Sequence, residues 1–108
     1  MRKNECIILG QVQKIKKKKT KDNEDYAYIL MEIEPRSSDE FVNKVNVMVF
    51  KQNIIKYLEN IKAHRGSSAI VFGFITSHPI IIKGQEVMVN SVVADTLYVI
   101  QTRPYGNE

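Results

Sequence analysis

The sequence predicts an all-β domain: a small five-stranded barrel with one helix between strands three and four. Three observations predict it. Short runs rich in Ile, Val and Tyr alternate apolar and polar side chains. Glycines interrupt two of these runs, at Gly10 and Gly73, where a curved sheet bends or bulges. A single stretch of helical period follows the third run, where a barrel needs a plug for its open end.

The first run spans Cys6 to about Lys16, with Gly10 as a candidate bulge. The lysines and the KDNED stretch after it have turn composition. In the second run, Tyr26 to Ile33, Ala27, Ile29, Met31 and Ile33 face one way, and Tyr26, Tyr28, Leu30 and Glu32 the other. Pro35 and RSSDE read as a loop. The third run, Phe41 to Phe50, sets Val45, Val47 and Val49 on one face against Lys44, Asn46, Met48 and Phe50 on the other. An all-valine face packs on a core. Over 52–62, Ile54, Ile55, Leu58 and Ile61 form one helical stripe, and Arg65-Gly66-Ser67 is the stop signal. The fourth run is Ser68 to Thr76, with Pro79 and Ile80-Ile81-Ile82 beyond it. Lys83-Gly84-Gln85 reads as a tight turn into a fifth run that begins at Glu86 and continues to Ile100.

This order describes a five-stranded OB-fold barrel. A ferredoxin-like fold needs a helix after strand one, where the lysine run has no apolar stripe. An SH3-like barrel lacks the helix. Residues 1–103 are expected to form the one domain that 108 residues allow, with 104–108 as a short irregular tail.

No run approaches the ~18 apolar residues of a membrane span, and the basic, apolar start is too short for a signal peptide. A cytoplasmic protein is expected. The lone Cys6 supports neither a disulfide nor a metal site. His64 and His78 have no Cys or carboxylate at ligand spacing. No phosphate-cradling glycine loop or nucleophile motif is present, and Glu32 and Glu34 lead into a loop. The sequence therefore predicts a binding module rather than an enzyme, with no metal and no cofactor.

The net charge of +4 is segmented. Residues 1–21 hold eight Lys/Arg and one acid; residues 22–40 hold one Arg and seven acids. A local basic excess suits a polyanion. In an OB fold the ligand face lies on strands two and three, flanked by the loops joining strands one to two and four to five. With the valines inward, Tyr26, Tyr28, Lys44, Asn46, Met48 and Phe50 look outward. Bases stack on aromatic faces whatever the sequence, and lysines beside them neutralise phosphate. The expected nucleic-acid contacts are Tyr26, Tyr28 and Phe50 for stacking, with Lys16, Lys17, Lys18, Lys19, Lys21, Lys44 and Lys51 for phosphate. Each piece has a plainer explanation. Tyrosines are ordinary strand residues, Phe50 can tuck under the helix, and the lysines can pair with Asp22, Glu24 and Asp25 in a solvated hairpin. Ile80, Ile81 and Ile82 on a projecting hairpin, and Ile7 and Leu9 with Ile8 on strand one, are the expected self-association surfaces.

The quoted stretches resemble the bacterial and phage single-stranded DNA-binding proteins. NECIILGQVQK is similar to their first strand. VNKVNVMVFKQNIIKYLENIKAHRGSSAIVFGFI is similar to their central block of valine-rich strand, terminal aromatic, helix and glycine-containing strand. EVMVNSVVADTLYVI is similar to their last strand. The resemblance covers about residues 4–101. It implies that Phe50 is the aromatic that ends strand three and stacks on a base, and that Tyr26 and Tyr28 share its groove. Lys44 stands where many members carry Trp, and this chain has none. Their acidic C-terminal tip has no counterpart in RPYGNE, which implies a bare OB domain: a phage, plasmid or mobile-element variant, or a restart accessory protein that lost the tail. Members form dimers or tetramers.

The expected function is sequence-tolerant binding of single-stranded DNA by a homo-oligomer, in replication, recombination or mobile-element transfer. The alternatives are a protein–protein adaptor of a replication or restart complex, and an RNA-binding module.

Overall fold

A computed structural model describes residues 4–33 and 43–101. The expected loop from Pro35, the start of the third run at Phe41, and the tail 104–108 lie outside the described residues. The elements are β1 (Glu5–Lys19), β2 (Asp25–Ile33), β3 (Asn43–Val49), α1 (Gln52–Asn60), β4 (Ser68–Ile82) and β5 (Gln85–Gln101). The strands hydrogen-bond in the order β1-β2-β3-β5-β4 and close into a barrel. A short parallel pairing of β3 with β5, at Val47↔Val92 and Met48↔Val93, closes it.

Alternation builds the core. Ala27, Ile29 and Met31 of β2 and Val47 and Val49 of β3 are buried, with Val12, Val71, Val92, Ala94 and Leu97 from the remaining strands. The helix adds Ile54, Ile55 and Leu58, while Ile61 lies past its end and is only partly buried. Tyr57 ties the helix to the barrel: its hydroxyl accepts from the Val99 N–H at 3.0 Å. The helix stops earlier than Arg65-Gly66-Ser67 suggests. Lys62 adopts φ 56° just after the C-cap Ile61, and the Ala63 N–H reaches back to the Leu58 carbonyl at 3.0 Å. Gly66 and Ser67 serve a later turn whose backbone bonds both polar groups of Val12 at 2.8 Å.

Two boundaries and the position of one bulge differ from the sequence expectation. The lysine run is strand, not turn: Lys14–Lys19 pair with Leu30–Asp25 of β2, and only residues 20–24 make the connection. Pairing with a well-patterned partner overrides the poor strand propensity of lysine. β4 runs unbroken through Pro79 to Ile82, so β4 and β5 form a long hairpin arm. Lys83 and Gly84 turn it with φ 51° and 80°, the positive pair that a type I′ turn requires. The irregularity of β1 lies at Gln13, not at Gly10: the register slips between Val12↔Met31 and Lys14↔Leu30. Gly10 instead allows close approach, since a Cβ there would strike the Glu32 carbonyl.

Candidate nucleic-acid interface

The bulge at Gln13 decides which lysines face the aromatic residues. Before it, Ile8, Gly10 and Val12 point inward; after it, Ile15 does. The extra residue changes the parity. Lys14, Lys16 and Lys18 therefore stand opposite Leu30, Tyr28 and Tyr26 on the outer face, and Lys17 and Lys19 stand opposite Ala27 and Asp25 on the other.

On that outer face β2 and β3 bring the expected aromatics together. The Tyr26 and Phe50 ring centroids lie 5.5 Å apart with planes tilted by 32°. Phe50 does not tuck under the helix; it is 44% exposed. Tyr28 stands opposite Met48, and its hydroxyl donates to Asn46 Oδ1 at 2.7 Å. Lys18 Nζ sits 5.2 Å from the Tyr28 ring centroid, within range of a cation–π attraction. Lys44 ends the row opposite Glu32, whose carboxylate accepts from Gln13 Nε2 at 3.2 Å. From Lys44 to Phe50 the row extends about 20 Å at ordinary strand rise.

The row opens into a groove of about 380 Å³ between the β1–β2 turn and the hairpin arm. Lys19, Thr20 and Lys21 form one wall; Tyr26, Met48 and Phe50 form the floor; Thr76, His78, Ser91 and Val93 form the other wall. These four wall residues were not expected from sequence. No local signal marks them, because β5 reaches the groove through a pairing across more than forty residues of chain.

Three of the expected lysines are engaged by groups of the protein itself, Lys19 while lining the groove. Lys17 Nζ bonds Glu59 Oε2 of α1 at 3.0 Å and lies 3.5 Å from Asp25 Oδ2. Lys19 Nζ bonds Asp25 Oδ1 at 2.8 Å. The hydrogen bond to Glu59, with the nearby Asp25 charge, raises the affinity of Lys17 for its proton above the usual lysine value. The hydrogen bond from Lys19, helped by the charge of Lys17, holds the Asp25 carboxyl below the usual range. Lys51 reaches β5, donating to the Asp95 carbonyl at 3.1 Å.

A second surface lies on the outer side of β1, β4 and β5. Ile7 and Leu9 are 66% and 57% exposed and stand opposite Phe72 and Ile70. Exposed Tyr98 packs edge-on against Phe72, with centroids 6.3 Å apart, and Ile100 extends the patch. Ile80, Ile81 and Ile82 are exposed on the hairpin arm together with Val87 and Met88. Among the described residues no helix is long and apolar enough to cross a membrane, and no three His, Cys, Asp or Glu side chains gather as metal ligands would.

No protein-family model matches this chain, and no curated protein sequence matches it. Solved structures do. A Plasmodium falciparum SSB in complex with ssDNA superposes with a TM-score of 0.79 at 14% identity, over 94% of this chain and 97% of that one. The mitochondrial single-stranded DNA-binding protein Rim1 of S. cerevisiae gives 0.78 at 16% identity, over 96% and 100%. A small single-stranded DNA-binding protein from Streptomyces coelicolor gives 0.70 at 13% identity, over 92% and 95%. Identities this low establish the fold: a five-stranded OB barrel with its helix between β3 and β4.

Proposed function

We propose that this OB domain binds single-stranded DNA without strong sequence preference, in replication, recombination or mobile-element transfer. One observation carries the reading: Tyr26, Tyr28 and Phe50 share a single outward face with Lys18, and that face opens into a lysine-edged groove. Each ring offers a stacking surface, and Lys14, Lys16, Lys18, Lys19, Lys21 and Lys44 are spaced along it to meet the phosphates. The shared fold with a DNA-bound neighbour supports the same reading. The protein works as a homodimer or homotetramer in the cytoplasm, with the Ile7–Leu9 patch and the isoleucine arm covered between copies. An apolar surface of that kind is seldom left in water.

The test is a titration of labelled single-stranded and duplex oligonucleotides by fluorescence anisotropy at two salt concentrations. Single strands should bind in preference, and log affinity should fall with log salt by about 0.7 for each phosphate neutralised. Equal binding of duplex, or affinity insensitive to salt, sinks the reading. Matched RNA in the same titration separates the RNA alternative. Capture of a protein partner that survives nuclease treatment, with no DNA affinity, would favour the adaptor.

A further inference from the structure

Asn46 stands on the outward face of β3, opposite Leu30 and diagonal to Tyr28. A carboxamide carries one acceptor oxygen and two N–H donors. Here the Tyr28 hydroxyl donates to Oδ1 at 2.7 Å. That bond holds the tyrosine ring in the row of stacking surfaces, and it leaves Asn46 to meet a ligand with its Nδ2 donors. An asparagine with both groups free reads adenine through a donor–acceptor pair of bonds. The Tyr28 hydroxyl already takes one of the two Oδ1 lone pairs, which weakens that option. An edge that leads with its Nδ2 donors pairs with a base carbonyl and opposes an exocyclic amino group, where two donors would meet.

We infer that Asn46, oriented by Tyr28, is a specificity-determining residue that favours bases with a keto group at the pyrimidine 4- or purine 6-position (thymine, uracil, guanine) over those with an amino group there (cytosine, adenine) at the nucleotide stacked on Tyr28. The inference rests on the single-strand reading above. It places a modest preference on a platform that is otherwise indifferent to sequence, since stacking on Tyr26 and Phe50 accepts any base. One hydrogen bond made or lost is worth about a two- to tenfold change in affinity.

Oligo-dU and oligo-dC of equal length isolate the effect, because the two bases share a ring and differ at the 4-keto and 4-amino edge. The wild-type protein should bind oligo-dU about two- to tenfold more tightly. Tyr28→Phe keeps a stacking ring but frees Asn46 Oδ1, and the dU/dC ratio should fall towards one. Asn46→Asp keeps an acceptor for Tyr28 and replaces the donors with a second acceptor. Its added charge should weaken both oligomers, while the ratio reverses in favour of oligo-dC. Asn46→Ala should give a ratio of one, and provides the test if the aspartate variant fails to fold. A purely structural role for the Tyr28–Asn46 bond would weaken both strands alike. Equal wild-type binding of dU and dC, or a ratio that no variant moves, overturns the inference and leaves single-strand binding standing. Failure to bind either oligomer overturns both.

Discussion

Lys19 Nζ lies 2.8 Å from Asp25 Oδ1, across the first register pair beyond the β1–β2 turn. Lys17 is engaged by the same carboxylate and by Glu59. Two of the expected phosphate contacts are thus occupied by the protein's own anions. On the proposed function, a single strand would have to displace those carboxylates to use either lysine, and exposed ion pairs are weak enough to be displaced. Asp25→Asn combined with Glu59→Gln should tighten single-strand binding at low salt. The salt dependence should steepen by about 0.7 in log–log slope for each lysine released. An unchanged slope in anisotropy titrations would mean that Lys17 and Lys19 do not meet phosphate.

The same pair makes a pH prediction. Asp25 has its folded-state proton affinity lowered by Lys19, so the pair's contribution to stability is present above the unfolded carboxyl value of 3.8 and is lost as pH falls through the lower folded value. Melting temperatures followed by circular dichroism from pH 5 to pH 2 should fall less steeply for Asp25→Asn than for the wild type. The effect is small, because the pair is exposed. Parallel curves would assign the acid limb to other carboxylates.

Phe50 is half exposed and packs against Tyr26 rather than the core, so its removal should spare the fold and damage the site. Phe50→Ala should weaken binding to a short oligonucleotide by about five- to 150-fold, the equivalent of about 1–3 kcal/mol for one stacked base. The melting temperature should stay close to that of the wild type. Unchanged affinity would exclude Phe50 from the stacking surface, and a large drop in stability would return it to a packing role.

The lysine run separates what the sequence shows from what only the fold supplies. The outward Tyr26, Tyr28, Met48 and Phe50 were legible because β2 and β3 alternate cleanly and one face of β3 is all valine. The run at Lys16–Lys19 carries no such contrast, so neither its strand character nor its two faces could be read from composition. One faint signal existed: Val12 and Ile15, both packed inward, stand three residues apart and break the period of two, as a bulge does. The groove wall of Thr76, His78, Ser91 and Val93 had no signal at all, because it depends on how β5 lies beside β3. The split of the lysines is testable. Lys18→Glu places charge on the aromatic face and should weaken binding more than Lys17→Glu on the other face; Lys19 is kept, because it lines the groove. Lys17→Glu also loses its own salt bridges, so its melting temperature should drop while that of Lys18→Glu does not. Equal losses of affinity in the two variants would mean that strand parity does not decide phosphate contact.

The patch around Ile7 and Leu9 leads to the last prediction. Ile7, Leu9, Phe72 and Tyr98 lie on the barrel wall away from the β2–β3 platform, so copies can meet there without covering the stacking rings. A two-fold interface repeats each side chain, and a substitution is therefore felt twice. Burying one Ile or Leu side chain contributes about 1.5–3 kcal/mol, and a glutamate in its place adds the cost of removing a charge from water. Ile7→Glu with Leu9→Glu should convert the proposed oligomer to monomer in sedimentation equilibrium at micromolar concentration. The spectrum of the barrel should persist, because both side chains point away from its core. Affinity for an oligonucleotide short enough to fill one groove should hold, while affinity for a long strand should fall as the second groove is no longer tethered to the first. A wild-type protein already monomeric at that concentration, or a double variant that stays associated, would remove this face from the assembly and leave the isoleucine arm as the surface to test.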